Sequence, residues 1–250
     1  MRCADLRNIK VTIAYDGTNY HGFQRQTDNL PTVQQVLEKI LTDLTKYPVC
    51  ALGAGRTDAG VHAEGQVINF RTESNIPVGR IVLAMNQRLP EDIVAKKAEE
   101  VEFDFHAQFS SKSKVYRYHI FNSRIPSAFD RLYSYHVPQK LSLEKMKEAA
   151  GYIVGEHDFT AFRASASKAR TSVRNVSRLD IKSLSPHLYL TVEADGFLYN
   201  MVRIIAGTLL YVGKGKLTPE EVRDFVESGQ REEAGPTVPP QGLCLMEVKY

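Results

Sequence analysis

The sequence predicts an α+β protein built from two pseudo-duplicated ferredoxin-like (split β-α-β) halves, each a layer of helices on a mostly antiparallel sheet, with an active-site cleft between them. Two observations predict it. Alternating strand-like segments interleave with amphipathic helical ones in the order β-α-β-β-α-β, and roughly the same order recurs in the second part of the chain. The length of 250 residues is also enough for two cores of ordinary size, placed here at 1–105 and 106–250.

In the first half, "NIKVTIAYD" (Asn8 to Asp16) alternates apolar with polar residues and reads as a strand that ends at a Gly17 turn. Thr32 and Gln35 form a capping box for a helix whose apolar positions Val33, Val36, Leu37, Ile40, Leu41 and Leu44 recur at helical spacing. A short apolar strand ending near Leu52, a glycine-rich loop, a strand from Gln66 to Arg71, a helix near Val78 to Gln87 and the strand "EDIVAKKAEEV" complete the half. The second half opens with the strand Lys114 to Asn122 and a partner in "RLYSYHV". Ser142 then caps a helix whose apolar positions Leu143, Met146, Ala149, Ala150, Ile153 and Val154 line one face. Strands around Val176 to Ile181 and Leu188 to Ala194 follow, then a buried helix from Phe197 to Val212, a helix capped by Thr218, Pro219 and Glu221, and a final strand in "GLCLMEVKY".

Composition excludes several classes. Hydrophobic content of 43% and charged content of 24% suit a soluble globular protein, and a net charge of +3 is too small to argue for nucleic acid by itself. Cys3, Cys50 and Cys244 are odd in number and form no C-x-x-C pair, which argues against a disulfide framework or structural zinc and fits a reducing cytoplasm. The start of the chain lacks a signal-peptide pattern, and the apolar run Phe197 to Val212 is too short, and carries Arg203, to cross a membrane.

The stretch "LGAGRTDAGVHAEGQVINF" (Leu52 to Phe70) allows three readings. A phosphate cradle of Gly53, Gly55 and Gly60 lacks both a Gly-Lys-Ser/Thr end and G-x-G-x-x-G spacing. A metal set of Asp58, His62 and Glu64 lacks a completing His or Cys cluster, since His21, His106 and His157 are scattered. In the third reading the glycines hold a sharp loop from which Arg56 and Asp58 project to one side, so that the guanidinium keeps the carboxylate ionised. That pair serves either as a displayed nucleophile or base, or as an ion pair steadying a turn.

Basic residues gather in two acid-free stretches. Lys112, Lys114, Arg117 and Arg124 lie among Tyr116, Tyr118 and Phe121; Arg163, Lys168, Arg170, Arg174 and Arg178 lie between Phe159 and Leu179. Such stretches suit a polyanion whose unpaired bases stack on rings, or a solvated face beside core tyrosines. Ser111-x-x-Lys114 and Ser165-x-x-Lys168 lack the rest of an acyl-transfer set.

The segments "YDGTNYHGFQRQ", "GAGRTDAGVHAEGQV", "FHAQFSSKSKVYRYHI", "GEHDFTAFRA", "RTSVRNV", "FLYNMVRIIAGTL" and "GLCLMEVKY", in this order from end to end, resemble the tRNA pseudouridine synthase A (TruA) family. Phe23 departs from it, standing where many members carry tryptophan. The resemblance implies an isomerase that converts uridine to pseudouridine at positions 38, 39 and 40 of the tRNA anticodon stem-loop, acting as a cytoplasmic homodimer without metal or organic cofactor. It implies that Asp58 is the catalytic aspartate, Tyr116 the substrate-binding tyrosine, and Arg56 and Arg203 supporting arginines; Asp58 is the expected partner of Arg203. Lys112, Lys114, Arg163, Lys168, Arg170 and Arg174 are the expected RNA contacts. A non-catalytic RNA-binding protein and an aspartate-dependent nucleoside or glycoside hydrolase are the rival readings.

Overall fold

The structure, a computed structural model, describes residues 6–26, 30–164, 171–229 and 234–250. It is mixed α+β, with mostly antiparallel pairing and five α-helices among the described residues. Two compact units emerge: the chain up to Lys112 together with Leu245–Tyr250, and Ser113–Cys244. The last strand is therefore divided between them. Lys168, Arg170, Ser165 and Cys3 lie outside the described residues.

In the first unit, β1 (Arg7–Tyr15) is flanked by two antiparallel neighbours, β3 (His62–Thr72) and β4 (Ile93–Val101). Its period-2 pattern has the expected effect: Ile9, Val11 and Ile13 have no exposed surface. Val11 faces Ile68 on one side and Ala98 on the other. Both predicted arms of the Thr32–Gln35 capping box close at the start of α1 (Val33–Thr45). Leu41 and Leu44 of α1, Phe70 of β3 and Ile81 of α2 (Val78–Asn86) line one small apolar pocket, so both helices face the sheet.

Two strand boundaries differ from expectation. β2 is only Leu52–Gly53, starting where a strand was expected to end. The reason lies in α1, whose buried Gln34 donates to the Ala51 carbonyl at 3.0 Å while buried Glu38 accepts from the Ala51 amide at 3.1 Å. Side chains thus take the backbone groups that a ladder would have used. β3 begins four residues early, at His62, because its pairing with β1 continues past an irregularity to Tyr15↔Ala63.

The second unit has the antiparallel order β5-β9-β8-β7, from β5 (Ser113–Phe121), β9 (His187–Ala194), β8 (Val173–Leu184) and β7 (Gly155–Asp158). Of "RLYSYHV" only β6 (Tyr135–His136) pairs, parallel to β5. β7, short and charged, carries no periodic signal in the sequence, and neither does the 3-10 turn Phe159–Phe162 that follows it. α3 (Leu143–Ile153) begins after Ser142, but the serine hydroxyl makes no cap bond; its backbone N–H donates to the Gly213 carbonyl instead. α4 (Met201–Gly213) starts four residues later than the apolar run suggested, because Asn200 is left-handed at φ 61°. The capping box of Thr218 and Glu221 forms as expected at α5 (Pro219–Ser228). β10 (Leu243–Lys249) closes the chain, with residues 245–249 beside β3 in the first unit.

α4 is apolar on nearly every side and is correspondingly buried. A Cβ at Gly207 would stand 1.9 Å from the Pro236 carbonyl oxygen, and the Gly235 amide donates to Thr208 Oγ1 at 2.9 Å. In an open helix, Gly→Ala gains about 0.5–1 kcal/mol. Here the sign reverses: Gly207→Ala is expected to cost about 1–3 kcal/mol, read as a lower denaturant midpoint.

Candidate active site

Asp58 stands on a loop that is clamped from several directions. Upstream, the Ala54 amide donates to the Val67 carbonyl at 2.8 Å, and Gln66 Nε2 donates to the Gly55 carbonyl at 2.9 Å. Downstream, the Val61 amide donates to the Asp58 carbonyl at 3.1 Å, closing a turn in which Gly60 is left-handed at φ 75°. The resulting presentation buries Thr57 and leaves Asp58 half-exposed.

The second clamp is the segment Tyr15–Phe23. Tyr15 and Thr57 share a 2.8 Å hydroxyl hydrogen bond, the Phe23 amide donates to the Thr57 carbonyl at 3.1 Å, and the Gly60 amide donates to the Tyr20 carbonyl at 3.3 Å. Contact is so close that a Cβ at Gly22 would meet the Thr57 carbonyl oxygen at 2.6 Å, and one at Gly17 would meet the Val61 carbonyl oxygen at 2.0 Å. Gly22 is also left-handed, at φ 89°. The Phe23 ring is buried against Gly53, where a Cβ would clash with it at 2.3 Å. Gly53 therefore serves ring packing rather than a phosphate cradle.

The other carboxylates and the histidine of this region have structural work. His62 is buried and accepts from the Gly17 amide at Nδ1, 3.0 Å away, with Asp16 Oδ1 3.1 Å from the same nitrogen. Asp16 also accepts from the amide and hydroxyl of Thr18. Glu64 pairs with Lys96 at 2.7 Å. The sequence set Asp58, His62 and Glu64 is thus not gathered as metal ligands.

Arg56 corrects one expectation. It is exposed, and among the described residues it forms no ion pair, with Asp58 or any other acid. A bend at Ala54–Gly55 precedes Arg56 and a turn at Ala59–Gly60 follows Asp58.

In the second unit, Tyr116 lies on β5 opposite Val192, 7% exposed, with its ring edge-on to Phe197 at a centroid distance of 5.1 Å. Arg203, in the first turn of α4, donates from Nε to the Val238 carbonyl at 2.7 Å and from Nη1 to Asn200 Oδ1 at 2.8 Å. Asn200 thus both breaks the apolar run and fixes this guanidinium. Tyr118 is a core tyrosine instead of a stacking platform: it is fully buried, donates to the Pro239 carbonyl at 2.8 Å, and burial pushes its phenol well above the ordinary range.

The expected RNA contacts are spread unevenly. Lys112 is exposed and Arg163 half-buried. Lys114 and Arg174 come together near Asp195: burial, with the Arg174 guanidinium adding to it, holds the Lys114 ammonium below its ordinary range against the pull of Asp195. Arg178 is engaged with Asp180 and Glu193, each at 3.6 Å.

Comparison with known proteins meets this geometry directly. The tRNA pseudouridine synthase family profile matches residues 11–110 and 149–250, taking in the clamped loop, its partner segment and α4. The chain belongs to the tRNA pseudouridine synthase family. Among curated members, the tRNA pseudouridine synthase A of Acetivibrio thermocellus is 50% identical over 98% of this chain and 100% of its own length. The tRNA pseudouridine synthase A 2 of Clostridium perfringens is 48% identical, and the tRNA pseudouridine synthase A of Thermoanaerobacter sp. strain X514 is 47% identical, over the same shares. This family member is thus similar to them along nearly its whole length.

Proposed function

We propose that this pseudouridine synthase isomerises uridine to pseudouridine at positions 38, 39 and 40 of the tRNA anticodon stem-loop, with Asp58 as the catalytic carboxylate. The single observation that carries the catalytic assignment is the double clamp on its loop. Backbone from two directions fixes a half-exposed aspartate, while the neighbouring Asp16 is committed to Thr18 and Glu64 to Lys96.

Pseudouridine formation breaks the N1–C1′ bond, turns the uracil and joins C5 to C1′. Cleavage builds positive character on the sugar, which an ionised carboxylate stabilises. Asp58 acts either by attack on C1′ or by removal of the C2′ proton to leave a glycal; both routes need it deprotonated. Tyr116 stacks on the uracil and keeps water from the detached base, with Phe197 bracing its ring. Arg203, fixed by two hydrogen bonds of its own unit, is the supporting cation. Arg56, exposed and without an ion-pair partner among the described residues, is better suited to a phosphate than to holding the aspartate.

A hydrolase of the two-carboxylate type is disfavoured by the commitments of Asp16 and Glu64. The target nucleotide must leave its stack, at a cost of a few kcal/mol, which phosphate contacts from Lys112, Lys114, Arg163, Arg174, Lys168 and Arg170 offset. The N-terminal half carrying the aspartate and the C-terminal half carrying the tyrosine and basic segments, each of split β-α-β pattern, belong to the same proposal, as do a homodimer and a cytoplasmic location. Raising salt from about 50 to about 200 mM is expected to raise KM for tRNA about tenfold or more, with a smaller change in kcat. The assignment is tested by mapping pseudouridine in transcripts incubated with the protein. Modification confined to 38–40 supports it, and modification elsewhere or none overturns it.

A further inference from the structure

The second unit carries a side-chain cluster that this chemistry does not use. On β5 the alternation that buries Tyr116, Tyr118 and Ile120 turns Arg117, His119 and Phe121 to the opposite face. There the register sets His119 beside Tyr189 and Phe121 beside His187 of β9. His119 Nε2 and His187 Nδ1 are 2.9 Å apart, and His187 Nδ1 is 3.9 Å from Asp130 Oδ1. One ligand atom from each of these half-buried residues falls within 4.8 Å of both others.

Each member is held from behind. His119 Nδ1 lies 3.0 Å from the Tyr133 carbonyl; the N–H donating there leaves Nε2 as a lone pair aimed at the cluster. The ring stacks on Tyr189 at 4.6 Å, and His187 packs on Phe121 at 5.5 Å. Asp130 accepts from Ser127 Oγ through Oδ2, turning Oδ1 toward the histidines, while its carbonyl accepts from the Tyr133 amide and the Ser134 hydroxyl. An imidazole–imidazole hydrogen bond alone would explain the shortest contact, but not a carboxylate oriented to the same point.

We propose that His119, His187 and Asp130 form a site for a divalent ion of the zinc type, with water as the fourth ligand. Two imidazoles and a carboxylate are a zinc-compatible donor set. With Zn–N and Zn–O near 2.0–2.1 Å, tetrahedral ligand atoms stand about 3.4 Å apart, so the histidine pair opens by roughly 0.5 Å and the carboxylate closes by a similar amount. The ion would fasten the Asn122–Ser134 connection, which exposes Ile125 and Phe129, to the sheet. It has no part in the isomerisation. The histidines are 68 positions apart in the chain, which is why no local spacing announced them.

The test is calorimetric titration of the metal-stripped full-length protein with Zn²⁺, with Mg²⁺ as control. One equivalent of Zn²⁺ should bind, Mg²⁺ should not, and Asp130→Ala and His187→Gln should each weaken binding roughly tenfold or more. The Co²⁺-loaded protein should show no thiolate charge-transfer band. Absence of stoichiometric Zn²⁺ binding, unchanged affinity in a folded variant, or a thiolate band would overturn the proposal. Asp130, on the connection rather than in the sheet, keeps the test decisive if His187→Gln does not fold.

Discussion

Asp58→Asn is expected to lower pseudouridine formation by roughly 10³-fold or more while leaving the unfolding midpoint and tRNA affinity nearly unchanged. Asparagine keeps the size of the side chain and cannot attack C1′ or accept a proton. The loop is held mainly by backbone and by Thr57, so the substitution does not remove the clamp. Activity and affinity therefore separate. A non-catalytic RNA-binding protein predicts no loss of any function in this variant, and a loop aspartate with only a structural role predicts a fall in stability.

Gly22→Ala should have the second largest effect, for a different reason. Gly22 is left-handed, and a methyl there would stand 2.6 Å from the Thr57 carbonyl oxygen and 3.3 Å from the Asp58 carbonyl carbon. Left-handed strain costs about 1–2 kcal/mol for an alanine, and relief of the clash must shift backbone on one side of the contact. Since that backbone is the one carrying Asp58, a displacement on the order of 1 Å is expected to reduce kcat about 10²-fold. Stability should fall by only a few kcal/mol, leaving a folded enzyme with a misplaced carboxylate. Loss of activity solely through unfolding, seen as full rescue at low temperature, would contradict this reading.

Local chemistry was well written in the sequence. The boxes of Thr32–Gln35 and Thr218–Glu221 close as their spacing demands, and β1 alternates as its residues do. What the sequence could not show depends on partners far along the chain. Gln34 and Glu38 divert the backbone around Ala51, Asn200 shortens α4, and Gly17 and Gly22 are required because the Thr57–Val61 backbone lies against them. The same limit applies to the candidate site. Asp58 is legible as a displayed carboxylate because Gly55 and Gly60 bracket it in the chain, but the two-sided clamp is not. Arg56 and Asp58 form no ion pair with each other, because spacing along the chain places two side chains near one another without fixing which way the guanidinium turns. Basic residues interleaved with tyrosines likewise say nothing of which face each occupies; β5 pairing sends Tyr118 to the core and Arg117 outward.

Tritium release from tRNA transcripts labelled at uridine C5 tests the central claim most directly. Reattachment through C5 expels that hydrogen, whereas binding alone or hydrolysis of the glycosidic bond retains it. The account predicts that the wild-type chain releases one tritium per modified uridine, without free uracil. Absence of release, or release of free base instead, would contradict it.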